Sequence, residues 1–230
     1  NTLNNEIAKV ILVIDYRLRV IDGYNLPDSI TSIKNIEIIE YLGSKNLPGM
    51  RNIALGNTNT KYIWFIDDDS TVPTYVNSTL HKLITILDNS SEIAYVSSKI
   101  IEKRQKGTLK KILYKPNLHW LKGPMFCFGL NPEYLIRKGA STVTTKLGIF
   151  PRIDIVQGTS MLFRTKTIKQ VNGFNEDLSN GYASFEESEL ALHLNSLGYI
   201  GIYTNLICVH HHKEKRIYCG SRDGIDPKFM

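Results

Sequence analysis

Residues 61–70 read Lys61-Tyr62-Ile63-Trp64-Phe65-Ile66-Asp67-Asp68-Asp69-Ser70. The stretch before the aspartates is a short apolar run of the kind that forms a buried strand. Three carboxylates then follow in a row, and they repel one another unless something positive joins them. In an open α/β sheet, ligands bind at the carboxyl ends of the strands. A hard divalent cation with oxygen ligands is the natural partner for such a triplet. A cation held there can bridge a diphosphate and stabilise it as a leaving group. The plain alternative is a solvated acidic turn in which one residue caps a helix.

On both sides of this stretch, strand patterns alternate with helical ones. Residues 9–15 (KVILVID) and 35–41 (NIEIIEY) read as strands. Residues 47–56 open from a loop into a helix, with Pro48 near the first turn. Residues 73–87 have helical spacing at Val76, Leu80, Leu83 and Leu87. Residues 92–97 form another strand, and residues 153–164 resume strand character with a break at Gln157-Gly158. A short helix over 165–172 ends at Gly173, and an amphipathic helix over 185–197 is closed by Gly198. Late strands follow at 199–203 and 206–210, then a polar tail from Lys213. The alternation predicts an α/β fold with a mainly parallel central sheet and flanking helices. Residues 116–150 carry Gly, Pro and aromatic residues without period, and read as a long loop region with short strands near a binding surface. There is no internal repeat and no linker, so residues 1–230 read as a single domain.

Composition narrows the classes. Apolar residues make up 42% and charged residues 22% of the 230, which excludes disorder, collagen and long coiled coil. No apolar run reaches the roughly 18 residues needed to span a bilayer. Three cysteines, Cys127, Cys208 and Cys219, argue against a disulfide framework and for the cytoplasm. The net charge of +6 suits an anionic ligand or an anionic membrane surface, and equally a solvated surface. Residues 99–115 concentrate Lys103, Arg104, Lys106, Lys110, Lys111 and Lys115. They read as a solvated basic loop or as a peripheral contact with the inner face of the cell membrane. No zinc-finger spacing, RNP-like aromatic motif or basic heptad region is present, so nucleic acid is not an expected partner.

Four further groups carry candidate chemistry. Glu186, Glu187 and Glu189 sit in the first turn of a helix. Acidic residues suit the positive end of the helix dipole, and one facing a cleft could take a proton from an acceptor hydroxyl. His210, His211 and His212 follow a strand, where alternation puts His210 and His212 on one face and His211 on the other. A histidine there could ligate a metal, and a surface cluster is the plain reading. Asp15 ends a strand, where it could accept from a base or ribose or equally serve as a structural cap, and Arg51 lies near a helix start after Gly49, where it could contact phosphate, a surface arginine being the plain reading. Gly158, Thr159 and Ser160 could line an acceptor pocket with small polar groups, or mark a strand bulge.

In this order and spacing the pieces resemble the family-2 glycosyltransferases with the GT-A, or nucleotide-diphospho-sugar transferase, fold. The resemblance runs from Lys9 to about His212. It rests on Asn46-Leu47-Pro48-Gly49-Met50-Arg51-Asn52, the acidic motif ending in Asp67-Asp68-Asp69, Val171-Asn172-Gly173-Phe174-Asn175-Glu176, and Glu186-Glu187-Ser188-Glu189-Leu190. It implies an inverting, sugar-nucleotide-dependent transferase, making a bacterial-type surface polysaccharide or glycolipid. Asp67 and Asp69 would hold Mn²⁺ or Mg²⁺, completed by His210 or His211. Asp15, Gly49, Arg51, Asn52, Asp67 and Asp68 would face the donor, a UDP-sugar first among the candidates. Glu187 occupies the place of the family's base, with Glu186 and Glu189 as alternatives because the usual residue there is Asp. Gly158, Thr159 and Ser160 would face a glycan or lipid-linked acceptor. Residues 1–97 would form the nucleotide and metal half and 98–212 the acceptor half. The family's first strand is not found ahead of residue 9, so a piece of roughly 25 residues is expected to be missing. That makes an inactive nucleotide- or glycan-binding module the rival reading. A metal-dependent nucleotidyltransferase is a third.

Overall fold

The computed structural model describes residues 8–15, 26, 28–32, 34–41, 47–73, 76–102, 131–137, 139–178 and 185–212. Most of the basic stretch at 99–115, most of the aperiodic region and the polar tail lie outside these residues.

The described chain runs β1 (Val10–Asp15), α1 (Asp28–Thr31), β2 (Ile36–Tyr41), α2 (Leu47–Gly56), β3 (Tyr62–Ile66) and β4 (Ser70–Thr71). It continues through α3 (Val76–Asn89), β5 (Ile93–Glu102), α4 (Pro132–Arg137), β6 (Thr142–Thr145), β7 (Gly148–Ile153) and β8 (Ser160–Arg164). It closes with α5 (Thr165–Gln170), a 3₁₀ turn (Glu176–Leu178), α6 (Glu186–Ser196) and β9 (Ile200–His211). No helix among the described residues is long and apolar enough to cross a membrane.

β1 and β2 pair in parallel as a two-stranded sheet, and the other strands form a sheet in the order β3-β8-β5-β9-β7-β6, with β4 pairing β9. That sheet is mixed. Only β5 and β9 pair in parallel within it, while β3–β8, β5–β8, β4–β9, β6–β7 and β7–β9 are antiparallel. The expected mainly parallel order therefore holds for two pairings. For one of the antiparallel pairs the reason is local: β6 and β7 are joined by the two-residue turn Lys146-Leu147, a connection that only antiparallel neighbours allow. Because β8 runs opposite to both β3 and β5, and β9 runs with β5, strands β3, β5 and β9 share one direction. Their carboxyl ends, which carry Asp67 and His211, emerge on the same side.

The two faces of the sheet bury different sets of side chains, as the period of two requires. On one face Tyr95, Phe163 and Tyr203 pack with Phe65, Ile168, Leu190 and Leu194, so α5 and α6 cover it. On the other, Val96, Leu162 and Ile202 pack with Leu80, Leu83 and Leu87 of α3. The late strand is continuous from Ile200 to His211, where the sequence reading had two. A shift in the β5 pairing between Thr204 and Cys208 absorbs the intervening residues as a bulge.

Register is locked at one point of close approach. Tyr95 is fully buried, and its hydroxyl lies 3.1 Å from the Ile153 carbonyl and 3.2 Å from Asn195 Oδ1. Its ring lies against Gly201, where a Cβ would fall 1.9 Å from Tyr95 Cε2. Gly201→Ala must therefore displace a ring that has nowhere to go. The expected cost is about 3 kcal/mol, a fall in Tm of roughly 6–12 °C for a chain of this size. Thermal melting followed by circular dichroism measures it, and an unchanged Tm refutes the packing argument.

Candidate active site

The site is built around Arg51, on the buried face of α2 with Pro48, Gly49 and Leu55. Its side chain is 7% exposed. Nη1 donates to Glu186 Oε1 at 2.6 Å, and Nη2 donates to Asp67 Oδ1 and to the Gly158 carbonyl, each at 3.4 Å. The guanidinium also lies 5.4 Å from the centroid of the Phe174 ring. A buried guanidinium is tolerated only when its donors are met by charge or carbonyl oxygen. Satisfying it here draws together α2, the end of β3, the β7–β8 connection and the start of α6. Gly158 leaves the necessary room: a Cβ there would lie 3.2 Å from Arg51 Nη2 and 3.5 Å from Glu187 Oε1.

The acidic triplet turns back at once after β3. The Asp67 N–H donates to the Thr159 carbonyl at 3.2 Å, and the Ser70 N–H donates to the Asp67 carbonyl at 3.1 Å. β4 then pairs with the end of β9, Ser70 opposite His211 and Thr71 opposite His210. The His212 N–H donates to the Asp69 carbonyl at 2.8 Å, and the His212 ring lies 2.9 Å from Thr71 Oγ1. This small ladder presents His211 Nε2 to Asp69 Oδ1 at 3.2 Å. One ligand atom each from Asp67, Asp69 and His211 lies within 4.8 Å of the others, a set that could hold a metal ion. His210 is exposed and stands outside that set, as strand alternation requires. Asp68 is exposed in the turn.

On the far side of Arg51 are the glutamates. Phe185 enters α6 with a left-handed backbone, φ 75°, and gives no side-chain cap. Glu186 is 2% exposed. Its Oε1 is held by Arg51, while its Oε2 is buried without a donor among the described residues. Burial pushes the Glu187 carboxyl up to about 7, the negative charge of Glu186 pushes the same way, and Arg51 pulls it down. Two adjacent carboxyls thus differ in kind. Glu186 is pinned by a cation, whereas Glu187 changes its proton near neutral pH, as suits a group that must accept one. Glu189 is half-buried, one step further along the first turn, and its N–H donates to the Phe185 carbonyl at 2.8 Å.

Other expected site residues fall elsewhere. Asn52 clamps the turn after α5: its Nδ2 donates to the Phe174 carbonyl at 2.8 Å and to Glu176 Oε1 at 3.0 Å, and its Oδ1 accepts from the Phe174 N–H at 2.8 Å. Gly173 (φ 79°) must be glycine there, because a Cβ would lie 2.3 Å from Asn52 Oδ1. Asp15 ends β1 opposite Tyr41, on the smaller sheet. Thr159 and Ser160 are buried at the start of β8, where Ser160 Oγ accepts from Trp64 Nε1 at 3.0 Å. The structure therefore gathers Arg51, Asp67, Asp69, Gly158, Glu186, Glu187 and His211. Phe174, which backs the guanidinium, was not among the expected residues. Its place directly after the left-handed Gly173 was the available signal.

The sequence matches no protein-family profile and no curated protein at a significant level. Its fold does match solved structures. GalNAc-T7 with UDP, GalNAc and Mn²⁺ superposes with a TM-score of 0.62 at 12% identity, covering 93% of this chain and 39% of that one. The mannosyltransferase PcManGT from Pyrobaculum calidifontis, with GDP-Man and Mn²⁺, gives 0.53 at 15% identity, over 91% and 49% of the two chains. TarS residues 1–349 from S. aureus give 0.51 at 15% identity, over 89% and 51%. The fold is GT-A. At these identities the likeness is one of fold, and the chain spans about two-fifths to one-half of the length of those proteins. In this GT-A chain the Arg51 cluster lies where β3 and β9 present their carboxyl ends.

Proposed function

We propose that the chain is an inverting glycosyltransferase of the family-2 type, which moves a sugar from a nucleoside diphosphate sugar to a hydroxyl of a glycan or lipid-linked acceptor. The observation that carries this reading is the pair of sites joined by Arg51: Asp67, Asp69 and His211 on one side, and a Glu187 carboxyl that titrates near neutral pH on the other. The solved neighbours bound to nucleotides or nucleotide sugars and Mn²⁺ support it.

Two carboxylates and an imidazole fit Mn²⁺ well, since oxygen ligands suit Mg²⁺ and Mn²⁺ alike and the imidazole favours the softer ion. Bound there, the cation would supply positive charge to the diphosphate as it leaves. Glu187, ionised, takes the acceptor hydroxyl proton. The acceptor oxygen bonds to the anomeric carbon as the bond from that carbon to the phosphate oxygen breaks, and the electron pair leaves with the nucleoside diphosphate. Attack opposite the leaving group inverts the centre. Glu186 stays bound to Arg51 and raises the proton affinity of its neighbour, while Gly158 leaves the space that Arg51 and Glu187 both border. Residues 1–97 make the donor and cation half, completed by His211, and the rest of 98–212 the acceptor half. The role assigned is bacterial surface polysaccharide synthesis in the cytoplasm, at the inner membrane face.

The test is calorimetric titration with UDP and with GDP, each with and without Mn²⁺, followed by release of diphosphate from the matching nucleotide sugars. Binding that requires Mn²⁺, together with release, supports a transferase. Binding without release favours a nucleotide-binding module, and no binding to either nucleotide overturns the reading.

A further inference from the structure

Arg51 carries one positive charge and faces two carboxylates with different tasks. Its bond to Glu186 is short, 2.6 Å, and its contact with Asp67 is loose, 3.4 Å. A divalent cation seated on Asp67, Asp69 and His211 competes for the same Asp67 carboxylate and repels the guanidinium beside it. The arm that holds Asp67 and the Glu187 carboxylate border the same empty space: Nη2 and Glu187 Oε1 lie 3.2 Å and 3.5 Å from the Cβ position at Gly158. Released from Asp67, Nη2 is free to turn towards the carboxylate that borders the same space.

We propose that Arg51 is a positioning residue that couples the cation site to the carboxylate pair on α6. It holds Asp67 in the cation-free protein and turns that arm to Glu186 and Glu187 when the cation arrives. Loading of one site thereby sets the geometry of the other. The inference rests on the cation site of the proposed function. Coupling of this kind is reciprocal, so a change in Glu186's hold on Arg51 must alter cation affinity.

The experiment measures Mn²⁺ affinity by electron paramagnetic resonance of the unbound ion, with no nucleotide present. It compares the wild type, Glu186→Gln, the double variant Arg51→Met/Glu186→Gln, and Asp69→Ala as a control. Glu186→Gln leaves the full charge of Arg51 to Asp67 and is expected to weaken Mn²⁺ binding on the order of tenfold. The double variant removes the competing charge without stranding a buried glutamate. It is expected to bind more tightly than the wild type, by about threefold. A purely structural role for Arg51 moves Tm but does not produce this order, and a role as a phosphate ligand leaves nucleotide-free Mn²⁺ affinity unchanged. Equal affinities, or a double variant weaker than Glu186→Gln, overturn the coupling. If Glu186→Gln does not stay folded, the double variant against the wild type decides alone, and equality overturns the proposal. Unchanged binding in Asp69→Ala, or no binding by any form, overturns the cation site itself. Loss in Asp69→Ala without the predicted order overturns only the coupling.

Discussion

Glu187→Gln is expected to lower turnover on the order of a thousandfold while leaving Mn²⁺-dependent nucleotide binding within about twofold of the wild type. The substitution is nearly isosteric, leaves the Arg51–Glu186 bond in place and removes only the group proposed to accept the proton. It has a second signature, in stability. The fold raises the Glu187 carboxyl from its ordinary 4.5 to about 7, chiefly by burial and by the charge of Glu186. The folded protein therefore favours the neutral carboxyl. Stability from that preference is fully present below about pH 4.5 and is lost as the pH rises through about 7. Glutamine cannot ionise. The variant should thus melt several degrees above the wild type at pH 8, and the two should converge towards pH 5. Turnover by the wild type should rise with pH through the same range. Retained turnover in the variant removes Glu187 from the role of base, and parallel melting curves at all pH values refute the raised proton affinity.

The second large effect is at the cation site. Asp69→Ala removes one carboxylate from a set of three ligands, and Mn²⁺ affinity should fall on the order of 100-fold or more, carrying Mn²⁺-dependent UDP or GDP binding with it. The backbone carbonyl of Asp69, not its side chain, accepts the His212 N–H. The metal-free Tm should therefore change by no more than about 2 °C. His211→Ala removes a neutral ligand and should cost less, about tenfold. Calorimetry with Mn²⁺ measures both. Binding that survives Asp69→Ala would place the cation elsewhere.

The features legible in the sequence were those that need only neighbours along the chain. Tyr62 to Ile66 before three aspartates reads as a strand feeding a ligand site, and Glu186 to Glu189 before an apolar face reads as a helix start. Alternation alone separates His211 from His210. What could not be read were partners chosen by the sheet. Arg51 near a helix start reads as a phosphate contact or a surface arginine, and its buried pairing is illegible because the carboxylate it holds lies 135 residues away. Asn52 is a donor contact only by the resemblance, and no local pattern shows that its amide also closes a turn 122 residues on. The mixed sheet escaped because residues 142–153 have no period strong enough to announce a hairpin. The two-residue β4 is shorter than any pattern can resolve.

The clasp between β4 and β9 has a further consequence. It joins Thr71 to His212 across 141 residues of chain. Contacts that distant carry the largest loop-closure entropy and are completed late in folding. The proposed cation donors from the two ends of that loop meet only when the clasp is formed, so Mn²⁺ would bind the finished molecule. An ion that binds only the native state displaces the folding equilibrium by mass action. The clasp would thus make the stability of the fold depend on the concentration of the metal.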